Sequence, residues 1–246
     1  MLVLLPPSET KSSGGDGPPL RLETLSFEQL NPTRERLARA LAELGKDLPA
    51  SLAALGLSER QTGEVERNAA LWDSPTRPAL ERYTGVLYDA LDVGSLSGAE
   101  RARADTRLAV VSALFGVVRG GDPVPAYRLS AGSTVPGIGG LRGVWRPELT
   151  PLLGAQPGPV VDLRSGAYAA LAKLPDAIEV RVVTEDSSGT RKAVSHHNKA
   201  HKGRLARALA RAEREPEGIE DVEEVARRAG MRCERTGTRG LHIVVD

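Results

Sequence analysis

The chain begins with MLVLLPPSETK, residues 1–11, in which a short apolar run ends abruptly at two prolines. This pattern predicts a buried strand over residues 2–5, followed by a polar loop over residues 6–19 that is rich in Ser, Gly and Pro. A lone strand cannot bury its apolar sides by itself. We therefore expect residues 2–5 to join strands that come much later in the chain.

The first half of the chain after this loop is predicted to be mainly helical. Asn31 is expected to cap a helix that starts with Pro32, carries an apolar stripe at helical spacing and ends at Gly45. Residues 78–91 are expected to form one broken helix. Two capping boxes, in which paired side chains satisfy backbone donors, mark further helix starts: Ser58 with Gln61, and Ser97 with Glu100.

The second half alternates strand patterns with helical stretches. Turns are expected at residues 186–189 and 237–240. The predicted fold is α/β (α+β): a single domain over residues 1–246 with a mixed sheet surrounded by helices. The predicted strands are residues 107–111, 159–163, 179–184, 191–195, 231–234 and 241–245.

The overall charge is balanced, with 33 Lys and Arg against 32 Asp and Glu in 246 residues. This balance excludes a uniformly basic coat protein and an acidic disordered chain. The single cysteine, Cys233, cannot form an internal disulfide or a cysteine-rich metal site. Four apolar residues are too few for the 7–15 of a secretory signal or the roughly 18 of a membrane span. We expect a cytoplasmic protein without a membrane segment, metal or cofactor.

Charge is sorted along the chain into a basic block, residues 191–214, and an acidic block, residues 215–224. On a helix, two histidines and four arginines of this block would share one face and apolar residues would form another, so the ridge is suited to phosphate oxygens. The residues of the ridge are His197, His201, Arg204, Arg207, Arg211 and Arg214. The alternative is a solvated face that pairs with the nearby acids. His197 and His201 have a metal-ligand spacing, but no third ligand stands near them. The candidate phosphate-binding residues are Lys192, Lys199, Lys202, Arg204, Arg207 and Arg211.

The central stretch, residues 115–129, is rich in glycine and proline and presents four polar side chains at a sharp turn. Arg119 and Arg128, with Tyr127 and Asp122, could clamp a phosphate and contact a sugar or base. The alternative is a buried salt-bridge network that pins the loop.

The loop after the first strand, residues 6–13, carries Lys11 and several hydroxyl groups, as phosphate-binding loops do. It lacks the P-loop pattern, which argues against nucleotide hydrolysis of that type. Glu9 and Lys11 pair with each other in the alternative interpretation.

Residues 135–140, VPGIGG, are similar to the hairpin of a helix-hairpin-helix element, whose glycines let backbone amides approach a DNA phosphate. Residues 130–134 do not predict the preceding helix, and Pro147 is expected to cut the following helix short. An ordinary glycine-rich loop is therefore the competing interpretation.

Taken together, these segments resemble the YaaA peroxide-stress protein family. The similarity lies in MLVLLPPSETK (1–11), YTGVLYDAL (83–91), SALFGVVRGGDPVPAYRL (112–129), VVDLRSGAY (160–168), VSHHNKAHKGRLARAL (194–209) and LHIVVD (241–246). The resemblance implies a cytosolic protein of the hydrogen peroxide response that limits unincorporated iron and protects DNA. It also implies one α/β domain with a basic cleft, a helix-hairpin-helix-like element and binding to double-stranded DNA.

By family analogy, Lys11, Arg119, Tyr127, Arg128 and residues 199–204 line that cleft. The chain departs from the family pattern at two places. Glu9 stands where many members have lysine, and two cationic positions of the family become neutral or histidine within residues 198–203. These differences concern the affinity for DNA more than the fold.

Two functions follow as hypotheses. The first is a stress protein whose cleft binds the phosphate backbone of double-stranded DNA with little base reading. The second is an enzyme acting on a nucleotide or nucleic-acid base in a pocket formed by the 6–13 and 119–128 loops, with Asp122 as acid or base. Direct iron sequestration would need a cluster of carboxylates and histidines that the spacing does not provide.

Overall fold

The structure is a computed structural model, and it describes residues 1–185, the backbone of residues 191–193, and residues 198–245. The strands are β1 (Leu2–Leu5), β2 (Gly17–Pro19), β3 (Pro75–Pro78), β4 (Leu108–Ser112), β5 (Gly116–Arg119), β6 (Pro123–Val124), β7 (Thr134–Val135), β8 (Gly139–Gly140), β9 (Val160–Asp162), β10 (Ile178–Glu185), β11 (Arg191–Ala193), β12 (Cys233–Thr236) and β13 (Gly240–Val245). The six strands predicted from the sequence all form, with boundaries that differ by one or two residues where both ends are described.

The helices surround these strands. They are α1 (Asn31–Leu44), α2 (Leu48–Leu55), α3 (Thr62–Ala69), α4 (Ala79–Arg82), α5 (Val86–Leu91), α6 (Gly98–Arg107), α7 (Leu141–Gly154), α8 (Gly166–Ala169), α9 (Asn198–Arg211) and α10 (Ile219–Arg228). Short 3₁₀ turns cover Leu22–Thr24, Glu28–Leu30, Glu59–Gln61 and Val93–Ser95. The predicted α/β fold, a mixed sheet surrounded by helices, is confirmed.

An eight-stranded sheet has the order β12-β13-β10-β9-β1-β4-β5, with β11 paired to β10. Strands β4, β1, β9, β10 and β13 are parallel, whereas β5, β11 and β12 are antiparallel to their neighbours. The sheet thus unites strands from both ends of the chain. The prediction of one domain over residues 1–246 remains a prediction.

Strand β1 joins the later strands, as expected from its apolar run, and lies inside this sheet between β9 and β4. Val3 pairs with Leu108 on one side and with Val161 on the other. All four side chains of β1 are at most 2% exposed, because helices or loops cover both faces of a central parallel strand.

The chain changes direction across the sheet at β1. It passes from β1 to β4 on one side and later places β9 on the other side. At such a switch point, the connections that leave the carboxyl ends of neighbouring strands diverge and open a crevice. The fold therefore provides a natural ligand site beyond Leu5.

Both capping boxes are confirmed, at Ser58 and at Ser97. Asn31, in contrast, does not cap α1. The preceding 3₁₀ turn runs directly into the helix, so Asn31 has helical backbone angles, and its Oδ1 accepts a hydrogen bond from Arg34 Nη1 at 2.9 Å. The predicted break within residues 78–91 separates α4 from α5.

The prediction that Pro147 shortens its helix is wrong. Helix α7 continues through Pro147 and Pro151 to Gly154. Trp145 and Leu149, one turn apart on the same face, are fully buried, and the indole nitrogen of Trp145 donates to Ala113 O at 2.8 Å. This burial outweighs the backbone hydrogen bond that each proline removes.

Helix α9 approaches α5 closely at Gly203. A Cβ atom at this position would lie 2.2 Å from the backbone oxygen of Leu87 and 2.9 Å from Cβ of Ala90. Only glycine permits this crossing, which places the first turn of α9 beside the carboxyl end of the sheet.

We expect Gly203→Ala to lower the free energy of unfolding by about 1–3 kcal/mol, since the helices must move apart. The matched control is Gly63→Ala in α3, where a Cβ atom would meet open space, and this change should stabilise the protein by about 0.5–1 kcal/mol. Urea denaturation of both variants measures the difference. Equal effects of the two substitutions would contradict the close crossing.

Candidate functional site at the carboxyl ends of the central strands

A cavity of about 700 Å³, which we call the carboxyl-edge cavity, lies at the switch point. The loop after β1, the loop after β9, the start of α5 and the first turn of α9 surround it. Its lining residues are Pro6, Pro7, Ser8, Glu9, Thr10, Thr84, Gly85, Val86, Leu87, Tyr88, Ser130, Ala131, Gly132, Leu163, Ser165, Ala167, Tyr168, Asn198, Lys199 and Lys202.

The wall combines apolar side chains, hydroxyl groups and two ammonium groups. Val86 lines the cavity although its side chain is 52% exposed, an unusual position for a large apolar residue. Tyr88 and Tyr168 add aromatic surface, and the Tyr88 hydroxyl donates to Pro6 O at 2.8 Å. Apolar walls with a few convergent polar groups are typical of sites for small organic ligands.

Lys202 brings one ammonium group into this wall. Its Nζ donates to the backbone oxygens of Leu163 at 3.0 Å and of Arg164 at 3.2 Å, just beyond the end of β9. Burial lowers the pKa of Lys202, although the negative charges of Asp162 and Glu179 oppose the shift. Lys199, one turn earlier on the same helix, is exposed at the mouth of the cavity.

Lys11 lies beneath the loop after β1 rather than in the cavity wall. Its Nζ donates to Ser8 O at 3.1 Å and Glu9 O at 3.4 Å, and lies 4.2 Å from the ring centre of Tyr127 and 5.3 Å from that of Tyr83. Burial, followed by repulsion from Arg128, lowers the pKa of Lys11 to about 7. Lys11 therefore shapes the loop that forms one wall of the cavity.

Tyr127 belongs to a buried hydroxyl network. Its hydroxyl lies 2.6 Å from Ser112 Oγ and 2.8 Å from the Tyr83 hydroxyl, and its side chain is 1% exposed. Ser112 Oγ also accepts the amide of Phe115 at 3.0 Å. The network fixes the end of β4 under the loops and leaves no phenol of Tyr127 at the surface.

The cation expected to pair with Glu9 from the sequence, Lys11, is not its partner in the fold. Glu9 forms an ion pair with Arg128 at 2.5 Å, whereas Lys11 contacts only the backbone oxygen of Glu9. The alternative pairing of Glu9 with Lys11 is therefore wrong, because Lys11 turns inward to the tyrosine rings.

Arg119 and Asp122 lie at the opposite, amino end of the sheet. Strand β5 runs antiparallel to β4, so its last residue, Arg119, reaches the start of β4 and donates to Thr106 O. Asp122 accepts hydrogen bonds from the amide of Ser26 at 3.0 Å and from its hydroxyl at 2.7 Å. The structure thus brings Lys11, Tyr127 and Arg128 together but separates Arg119 and Asp122 from them.

The basic ridge on α9 forms, but two of its arginines are engaged. Arg207 donates to Leu91 O at 2.9 Å and Asp92 O at 2.6 Å, and Arg211 pairs with Glu100 at 2.7 Å. The interpretation of a face paired with acids holds for both. Their acids come from the α5–α6 region. Within residues 215–224, Glu217 pairs with Arg214 of the basic block, just beyond α9, at 3.6 Å.

Arg204 and Lys199 differ from these arginines. Both are exposed, and within the described ranges no carboxylate lies at ion-pair distance from either. The side chain of Lys192, together with His196 and His197, lies outside the described residues. The turn at residues 186–189 also lies outside them, although the flanking β10 and β11 pair in antiparallel fashion.

The glycine-rich segment folds as a small hairpin of β7 and β8 that leads into α7. Residues 125–133, which precede it, contain no helix. A complete helix-hairpin-helix element is therefore not present at this position, and a glycine-rich hairpin describes it.

Sequence reasoning did not select Tyr88, Tyr168, Thr84 or Val86 as site residues. What these residues share is their position in the fold. Tyr168 follows β9, and the other three lie at or near the start of α5, beside the loop after β1. In the described part of the chain, no three His, Cys, Asp or Glu residues cluster as a metal site would require. No helix there has the length and apolar character needed to cross a membrane.

Comparison with known proteins places the chain among bacterial relatives. A family model described as peroxide stress protein YaaA matches residues 1–234. A UPF0246 protein of Corynebacterium efficiens is 47% identical over 238 residues, covering 95% of each chain. A UPF0246 protein of Streptomyces coelicolor is 45% identical, covering 95% of this chain and 92% of the relative. One of Idiomarina loihiensis is 28% identical over 80% of this chain and 83% of the relative.

The lowered pKa of Lys11 predicts a pH-dependent stability. The folded protein releases this proton near pH 7, whereas the unfolded chain keeps it until about pH 10.5, so the unfolded state binds more protons in between and stability rises with pH. Between pH 6 and pH 8.5, the free energy of unfolding of the wild type should gain roughly 2 kcal/mol more than that of Lys11→Met. Urea denaturation at both pH values measures this gain.

Lys46→Met provides the control, because Lys46 is an exposed lysine paired with Glu43. Its pH dependence should match that of the wild type. Identical pH dependence for the Lys11 variant and the wild type would contradict the lowered pKa.

Proposed function

This chain belongs to the peroxide stress protein YaaA family, and from that premise we propose that it serves the peroxide response by binding a phosphate-bearing ligand of nucleotide size in the carboxyl-edge cavity. The observation that carries the proposal is the cavity itself, at the switch point of the parallel strands, with Lys199 and Lys202 on its wall. Ligands of open α/β sheets bind at this position.

The size of the cavity selects the class of ligand. A volume of about 700 Å³ lies within the range of small-molecule sites. A duplex, whose major groove alone is roughly 12 Å wide, can contact only the mouth. One nucleotide, or one base taken out of a strand, fits inside.

The wall of the cavity has groups suited to each of the two ends of a nucleotide. Lys199 offers an exposed ammonium group to a phosphate at the mouth. Val86, Tyr88 and Tyr168 offer apolar and aromatic surface to a base or sugar. We assign no acid or base role to Asp122, which lies at the other end of the sheet.

Adenosine monophosphate is the probe that tests this proposal. We expect wild-type protein to bind it in isothermal titration calorimetry, and Lys199→Met to weaken binding about ten- to a hundredfold through loss of a charge-assisted contact. Adenosine, which lacks the phosphate, should bind more weakly than the monophosphate.

Lys173→Met is the control for charge, because Lys173 is exposed and does not line the cavity. Its affinity should equal that of the wild type. No heat of binding with the wild type, or equal losses in the two variants, would contradict a site at the cavity mouth.

Binding of double-stranded DNA is the second candidate function, and the exposure of Lys199 and Arg204 favours it. These two cations lie 5 positions apart at the start of α9, next to the cavity. Phosphate contacts of this kind position DNA but read little sequence. We propose that such contact, in the cytoplasm, serves to limit iron-dependent oxidative damage, the role that the family resemblance implies.

The salt dependence of DNA binding distinguishes exposed cations that can contact DNA phosphates from cations that are already paired within the protein. The logarithm of the association constant falls linearly with the logarithm of the salt concentration, and Lys199→Gln and Arg204→Gln should each reduce the magnitude of this slope by about 0.9. Arg211→Gln removes the same charge from a side chain already paired with Glu100, so its slope should stay at the wild-type value. Fluorescence anisotropy with a short duplex at several salt concentrations gives the slopes; an equal decrease in all three variants would exclude a local contact surface.

A further inference from the structure

We propose that Lys202 acts as a nucleophile toward a phosphate-bearing aldehyde, with which its ε-amine forms an imine in the carboxyl-edge cavity. This inference rests on the proposed function, because it concerns the same cavity, and it names the chemical class of the ligand. The ε-nitrogen attacks the carbonyl carbon and one N–H proton passes to the former carbonyl oxygen, which gives a carbinolamine. The second N–H proton then passes to that hydroxyl group, the C–O bond breaks, and water leaves as the C=N bond forms. The step needs no oxidant or reductant.

The hydrogen bonds of Lys202 suit a neutral amine. A neutral amine has two N–H donors and one lone pair. Leu163 O and Arg164 O, at 3.0 and 3.2 Å, take both donors. The lone pair then occupies the remaining tetrahedral direction, and since Lys202 lines the cavity, that direction is available to a ligand.

The surroundings of Lys202 also favour the reactive form. Among the residues that the structure describes, no carboxylate lies within ion-pair distance of its Nζ. Its partners are carbonyl dipoles of the cavity wall, which compensate a positive charge less than a carboxylate would. Burial accordingly lowers the pKa of the amine, as in lysines that form Schiff bases.

Lys199 determines which carbonyl compounds would be selected. It lies three positions before Lys202 on α9, on the same face, so the two side chains are neighbours about 5–6 Å apart at Cβ. A phosphate held by Lys199 therefore places the body of a small molecule beside Lys202. A sugar phosphate with a free aldehyde carries both a phosphate and a reactive carbonyl group. It can be a free compound or an abasic nucleotide within DNA.

A comparison with Lys11 shows that burial alone does not make a lysine reactive toward an aldehyde. Its Nζ also donates to two backbone oxygens and has a lowered pKa. The remaining side of its nitrogen, however, faces the ring of Tyr127 at 4.2 Å, and Lys11 does not line the cavity. We therefore expect Lys11 to be unreactive, which makes it a control within the same chain.

Reductive trapping tests the proposal on the full chain. The probes are a duplex with one abasic site and free deoxyribose 5-phosphate, each with sodium cyanoborohydride, which transfers hydride to the imine carbon and fixes the adduct as a secondary amine. Peptide mass spectrometry locates the adduct. We expect several-fold more adduct at Lys202 than at the exposed Lys46 and Lys173, and none at Lys11.

The variants separate reactivity from folding. Lys202→Arg keeps N–H donors for Leu163 O and Arg164 O but removes the nucleophile, so the adduct should be lost while the melting temperature stays near that of the wild type. Lys173→Arg should keep the adduct at Lys202. Labelling of the Lys202 variant to the wild-type extent would overturn the proposal.

The two probes distinguish the source of the aldehyde. An adduct with the duplex alone indicates a nucleic-acid ligand, an adduct with the free sugar phosphate alone indicates a metabolite, and both support the shared chemistry. No adduct at Lys202 with either probe, in protein that still binds adenosine monophosphate, overturns the imine but not the proposed function. An adduct at Lys202 in protein that does not bind adenosine monophosphate supports the imine but contradicts nucleotide binding in the cavity.

Discussion

Buried cations that donate to backbone oxygens hold this structure together. Arg34 is fully buried and donates to Phe115 O at 2.9 Å, Val117 O at 2.6 Å and Ser26 O at 2.8 Å. Arg82, also fully buried, joins the backbone oxygens of three separate segments in the same manner. Loops without a regular partner leave such oxygens unsatisfied, and a guanidinium group, with five donors in one plane, can satisfy several at once.

This constraint explains why the number of basic residues in a stretch does not by itself predict phosphate contact. Lys11 and Lys202, both candidates for phosphate binding, use their ammonium groups on loop oxygens around the cavity. Arg207 does the same at the end of α5. A count of charges cannot separate a cation that meets water from one that meets a carbonyl group, because the carbonyl belongs to a distant segment. Among the α9 candidates, Lys199 and Arg204 are exposed cations that pair with no carboxylate of the described residues, and so remain available to a phosphate.

The fold was more predictable than the site for a physical reason. Apolar runs, capping boxes and turn residues act over a few positions, so the place of β1 and the boxes at Ser58 and Ser97 followed from the sequence. Arg119 and Tyr127, in contrast, are eight positions apart, yet the unpredicted strand β5 carries Arg119 roughly 10 Å along β4 to the other end of the sheet. Candidate sites drawn from neighbouring residues fail wherever a short strand intervenes.

The central position of β1 has a consequence for the order of events during synthesis. Residues 2–5 leave the ribosome well before their partners at residues 108–110 and 160–162, which follow more than a hundred positions later. Contacts of such long sequence separation form slowly, because a large loop must close before they contribute. The most apolar strand of the sheet therefore stays unpaired through most of translation, and its apolar surface is open to association with other chains until β9 has emerged and β1 can be enclosed from both sides.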